Sequence, residues 1–182
     1  MTSPSTTTTD ATETAAITQV YRVYIKATPQ AIWDAITKPE WASRYGYGGT
    51  VQYDLRPGGK YRGLTSEEMK ADARAHGGTL PDVAVDGEVI EADPPRRLVQ
   101  TWRMLLDPDI AAEGFTRLTY EIDEVPGSGI KLTVTHEVTD APKVAAMLLG
   151  GEDSEGGGGG GGWSWILSDL KSLLETGAGL RG

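Results

Sequence analysis

Two histidines, no cysteine, seven tyrosines and five tryptophans are the side chains on which chemistry or recognition could be built. In the segment IKLTVTHEV, Ile130, Leu132, Val134, His136 and Val138 fall on one face of a strand, because alternate side chains point the same way. His136 is thus expected to point inward. One reading makes it a core imidazole satisfied by one or two hydrogen bonds; the other makes it a polar anchor or acid/base in a cavity. In RLVQTWRM, Leu98, Gln100, Trp102 and Met104 are in phase, which sets an inward amide beside an inward tryptophan. Tyr120 stands with Leu118 and Ile122 in the same way. Polar groups converging on an apolar, aromatic interior are what a small-molecule pocket requires, although satisfied core tyrosines give the same pattern.

Other chemistries find no footing. There is no Gly-x-Ser-x-Gly elbow, and no serine near the glycine-rich end is paired with a candidate base. The glycine run lacks the Gly-Lys-Ser/Thr ending of a phosphate loop and the spaced glycines of a dinucleotide site. His76 and His136 would have to share a metal with carboxylates alone, so no metal and no cofactor are expected. Glu88 with Glu91, and Asp123 with Glu124, read as solvated charge. No catalytic residue is assigned, except that an enzymatic reading would use His136.

The 182 residues are 38% hydrophobic, enough for one sizeable core but hardly two. Without cysteine, disulfides and thiolate chemistry are excluded, and nothing points to an oxidising compartment. A net charge of −9 opposes phosphate backbones and anionic membranes, so neither nucleic acid nor membrane is an expected partner. The longest apolar run, VAAMLL (144–149), is far short of a membrane span. MTSPSTTTTDATETAA lacks the basic start and apolar core of a secretory signal and reads as a disordered polar tail over residues 1–16. The expected setting is cytoplasmic.

The elements that must position these residues follow from periodicity. ITQVYRVYIKA alternates as a strand, and Thr28 with Pro29 opens a helix that ends at Lys38-Pro39, where Pro39 starts a second short one. TVQYDLR and KYRGLT form a hairpin about Pro57–Gly59. Residues 65–78 read as an inserted helix, with Thr65 and Glu68 at capping-box spacing. VAVDGEVIEA, RLVQTWRML, TRLTYEIDEV and IKLTVTHEV follow as four strands with short turn-rich separators, which predicts an antiparallel meander. Residues 150–162 form an acidic and glycine-rich linker, residues 163–177 a final helix, and 178–182 a tail. One domain spans 17–177.

In the final helix Trp163, Ile166, Leu167, Leu170, Leu173 and Leu174 make one apolar stripe, which needs a groove to bury it. The concave face of the meander is the natural partner. Trp165 falls nearly opposite, beside Ser168, Asp169 and Ser172, and is expected on the surface. Seven glycines before the helix reach roughly 13–16 Å, enough to cross the sheet. They are either a neutral insertion or a hinge that lets the helix shift.

DLRPGGKYRG (54–63), GEVIEADPPRRLVQTWR (87–103), LTVTHE (132–137) and GGWSWILSDLKSLLETG (161–177), in that order, resemble the bacterial activator-of-heat-shock-ATPase-like branch of the START/SRPBCC superfamily. The resemblance covers Ile17 to Thr176. It implies an α+β helix-grip fold, a curved antiparallel sheet gripping a long C-terminal helix with a hydrophobic cavity between them. It also implies that Trp102 and His136 face that cavity. Members range from ligand carriers to cyclases and hydrolase-like enzymes. The co-chaperones that name the branch carry a further N-terminal domain, which the polar tail here does not resemble.

The first expectation is therefore binding of a hydrophobic or amphipathic small molecule by a monomer or homodimer. Its site would draw on Trp33, Trp41, Tyr53, Tyr61, Gln100, Trp102, Tyr120, His136, Trp163 and Leu167. The alternatives are a polyketide cyclase or dehydratase using His136 as acid/base, and a chaperone or regulator accessory that binds through an apolar patch around Trp165.

Overall fold

The computed structural model describes residues 17–150 and 162–180. The expected tail over 1–16 and all of the expected linker except Gly150 and Gly162 lie outside the described residues.

Seven strands form one antiparallel sheet in the order β1-β7-β6-β5-β4-β3-β2. Strand β1 (Thr18–Ile25) pairs with β7 (Gly129–Glu137), and the intervening strands β2 (Thr50–Tyr53), β3 (Lys60–Leu64), β4 (Val83–Asp93), β5 (Arg97–Met104) and β6 (Thr116–Val125) pair with their sequence neighbours. Register shifts at Gly63/Leu64 and between Val89 and Glu91 add local bend and twist, as extra residues in one strand of a pair do. Between β1 and β2 run α1 (Pro29–Thr37) and α2 (Pro39–Ala42). Thr28 caps α1 by accepting from Ala31 N at 3.1 Å, and Lys38, forced extended by the proline after it, closes it. The C-terminal helix α6 (Gly162–Thr176) buries Trp163, Leu167 and Leu170 in the same core as Ile25, Leu118 and Leu132. This is the α+β helix-grip architecture.

Four local expectations are corrected. The inserted helix α3 (Glu67–Ala75) is capped by Ser66, which accepts from Met69 N; the Thr65 hydroxyl instead donates to Pro81 O at 2.6 Å. The separator DPDIAAEG contains a one-turn helix, α4 (Pro108–Ala111), capped by Asp107. VAAMLL belongs to a further helix, α5 (Pro142–Leu149), packed against α6 and hydrogen-bonded by Gln19 and Tyr21 of β1. On α6, Asp169 is not on a solvated face: it is 1% exposed and accepts from Gly46 N at 2.7 Å and Leu180 N at 2.5 Å. The polar side of α6 thus ties down both the chain after α2 and residues 178–180, and Trp165 beside it is half-buried.

Candidate functional site

Alternation along five strands sends Tyr53 of β2, Tyr61 and Gly63 of β3, Val85 of β4, Trp102 of β5 and Tyr120 of β6 to the same side of the sheet. There they meet Ile36 of α1, the ends of α5 and α6, and the segment YGYGGT (45–50). The space left between them is a cavity of about 390 Å³. Among the described residues its lining is largely aliphatic and aromatic, with no charged side chain.

The aromatic wall is ordered by strand register. Tyr53 and Tyr61 are directly opposite across β2 and β3, and their rings stack at 4.6 Å between centroids and 27°. Tyr120 meets Trp163 edge-on at 6.0 Å and 81°. Burial without counter-charge pushes the phenols of Tyr45, Tyr53 and Tyr120 up and that of Tyr61 to about 12. All four are therefore protonated near neutral pH, so each is a hydrogen-bond donor in apolar surroundings.

His136 lies one layer behind this wall. Trp102 meets it edge-on at 5.0 Å and 85°, and it is fully buried. The Trp163 indole N–H can only donate, and it does so to Nδ1 at 3.3 Å. That places the ring proton on Nε2, which donates to the Thr116 hydroxyl at 2.7 Å; the hydroxyl in turn donates to Trp102 O at 2.9 Å. The chain runs one way and uses both ring nitrogens. Desolvation lowers the imidazole pKa to about 4, so the ring is neutral. It holds Trp163, the first tryptophan of α6, against β5 and β6, and thereby sets one wall of the cavity.

Residues 26–175 match the family described as activator of Hsp90 ATPase homolog 1-like proteins. The chain belongs to that family. No curated protein matches it in sequence. Among solved structures, a protein of Mesorhizobium loti has 19% identity and a TM-score of 0.58, covering 87% of this chain and 96% of that one. A protein of Nitrosomonas europaea has 17% identity and a TM-score of 0.58, covering 86% and 93%. CalU16 of Micromonospora echinospora has 20% identity and a TM-score of 0.51; the match covers 72% of this chain and 66% of CalU16. At these identities the likeness establishes the fold.

Of the residues that the sequence marks for the site, Tyr53, Tyr61, Trp102, Tyr120 and Trp163 line the cavity together. Gln100 and His136 are buried behind that wall. Trp33 and Leu167 are core residues, and Trp41 is half-buried with the Arg44 guanidinium 4.6 Å over its ring. Sequence reasoning passed over Tyr45, Tyr47 and the glycines around them, whose alternation in a connecting segment is the one signal that could have found them. It also passed over Met147 and Leu148, because α5 was not read as a helix. Among the described residues no group of three or more His, Asp or Glu side chains is placed to hold a metal ion, and no helix is long and apolar enough to cross a membrane.

Proposed function

We propose that the chain binds a hydrophobic or amphipathic small molecule in the cavity between the sheet and the start of α6. One observation carries the reading: a space of about 390 Å³, walled by aromatic and aliphatic side chains, lies between the sheet and the helices. At the packing density of protein interiors it accommodates on the order of 15 to 20 non-hydrogen atoms. A cyclase or dehydratase using His136 finds no support in the geometry, since both ring nitrogens are engaged within the protein and the ring does not line the cavity. The absence of cysteine and the net charge of −9 support a cytoplasmic carrier or sensor that does not engage nucleic acid or anionic membrane.

The test is native mass spectrometry of protein purified from its own host, joined to a thermal-shift screen of lipids, polyketides and aromatic compounds. A retained mass of a few hundred daltons, lost on denaturation, is the expected result. A bare chain mass together with a screen in which nothing raises the melting temperature overturns the proposal.

A further inference from the structure

Side chains from β2, β3 and β5 converge in a polar cluster at the cavity wall. Gln100 is 0% exposed and is flanked in register by Val89 and Leu118, which offer its side chain no polar partner. Its Oε1 accepts from the Tyr53 hydroxyl at 2.8 Å. Its Nε2 is the buried side-chain polar atom without a hydrogen-bond partner among the described residues. An amide kept in such a place with half its capacity unused is costly unless something draws on it.

The group beside it is Tyr61. Tyr61 stacks on Tyr53, whose hydroxyl donates to Gln100 Oε1, and burial raises the Tyr61 phenol to about 12. Tyr61 lines the cavity, so its O–H is placed to donate to an occupant. Its outlet is also built. Gly63 is two residues along the same strand face, and a Cβ there would lie 3.4 Å from Tyr61 Oη, so the glycine leaves the hydroxyl uncovered on its cavity side. Tyr120 is a second protonated phenol in the same wall.

Building on the binding reading above, we infer that Tyr61, stacked on the Tyr53 ring that Gln100 holds, is the polar anchor of the cavity and that it selects an uncharged molecule carrying an accepting oxygen, such as a ketone, ester or quinone carbonyl. The donors supply a hydrogen bond to a carbonyl. They supply no counter-charge, and none of the described lining side chains does, so an acid entering the site loses its hydration without an ion partner there.

Three probes of the same ring and size test this: 2-acetylnaphthalene, 2-isopropenylnaphthalene and 2-naphthoate, titrated into the full chain by calorimetry or tryptophan fluorescence. The ketone is expected to bind roughly tenfold tighter than the alkene, as one or two neutral hydrogen bonds allow. The carboxylate is expected to bind weakest. Tyr61→Phe and Gln100→Leu should each remove the ketone's advantage while leaving alkene affinity within about threefold, since neither takes away apolar wall. The carbonyl stretch of the bound ketone should move to lower wavenumber in the wild type and return in Tyr61→Phe, a readout that a merely structural role would not move. Equal binding of ketone and alkene, a ketone preference that survives Tyr61→Phe, or a carboxylate that binds tightest overturns the anchor and leaves the binding reading standing. Failure of all three probes to bind overturns the anchor as drawn, while the binding reading is decided by the retained mass and the broader screen.

Discussion

At the scale of single residues, His136 has both ring nitrogens engaged, by the Thr116 hydroxyl and the Trp163 indole. Its inward direction was legible, because alternation fixes which face a strand residue occupies. Its partners were not, because Thr116 and Trp163 reach it from β6 and α6, and no spacing along the chain reports their meeting. The hydrogen-bond chain makes a prediction about pH. The ordinary histidine pKa is 6.5, and in the fold it is lowered to about 4, so between these values the unfolded chain binds a proton that the native protein refuses. The stability this provides is complete above pH 6.5 and is lost as pH falls through about 4; for a group this buried it amounts to about 3 kcal/mol. Urea unfolding of wild type and His136→Gln at intervals from pH 4 to pH 7 should show the wild type losing about 3 kcal/mol more than the variant across that window. Parallel pH profiles would mean that His136 is not held neutral.

At the scale of elements, the sequence was most informative where a periodic stripe was long or where a cap and a breaker bracketed a helix. The stripe of α6, the Thr28 cap of α1 and the strand phases were all readable for that reason. Helix α5 was not. It has no side-chain cap, no acidic residue in its first turn and only eight residues, so VAAMLL carries no clear helical signal. The same junction explains one glycine of the run before α6. Gly162 has φ +51°, and a Cβ on it would lie 2.1 Å from Leu148 O, which is where α5 ends against the start of α6. Gly177, after the other end of α6, has φ +85° with nothing within 4 Å of such a Cβ. Backbone strain alone applies to Gly177→Ala, at about 1 kcal/mol. Strain and a backbone collision together apply to Gly162→Ala, expected to cost at least about 2 kcal/mol. Chemical denaturation of the two variants side by side checks the order; if Gly177→Ala proves the more damaging, α5 and α6 do not meet as closely as described.

For the whole molecule, the gap between what was readable and what was not has a single physical source. Periodicity states which faces are apolar, and those faces alone imply a sheet closed over a helix. It does not state whether the faces fill the space between them, since that is settled by small residues such as Gly63 and Ala84, each of which leaves volume that a larger side chain would occupy. An unfilled interior of this size forfeits packing contacts, so the fold without an occupant is less stable than its core could make it. Filling the space with protein should therefore separate stability from binding. Val51 lines the cavity from the edge strand β2, where an aromatic suits the strand and the backbone has room to adjust. Val51→Phe is expected to unfold within about 1 kcal/mol of wild type, or later, because its ring enters a void and not a packed site. Wild type with the naphthyl ketone at a hundred times its dissociation constant should gain about 2.7 kcal/mol, or roughly 5–10 °C in melting temperature for a chain of this length. In Val51→Phe that gain should fall to near zero, since the ring takes the volume the ligand needs. A folded Val51→Phe protein that keeps the full ligand-induced shift would place the binding site somewhere other than this cavity.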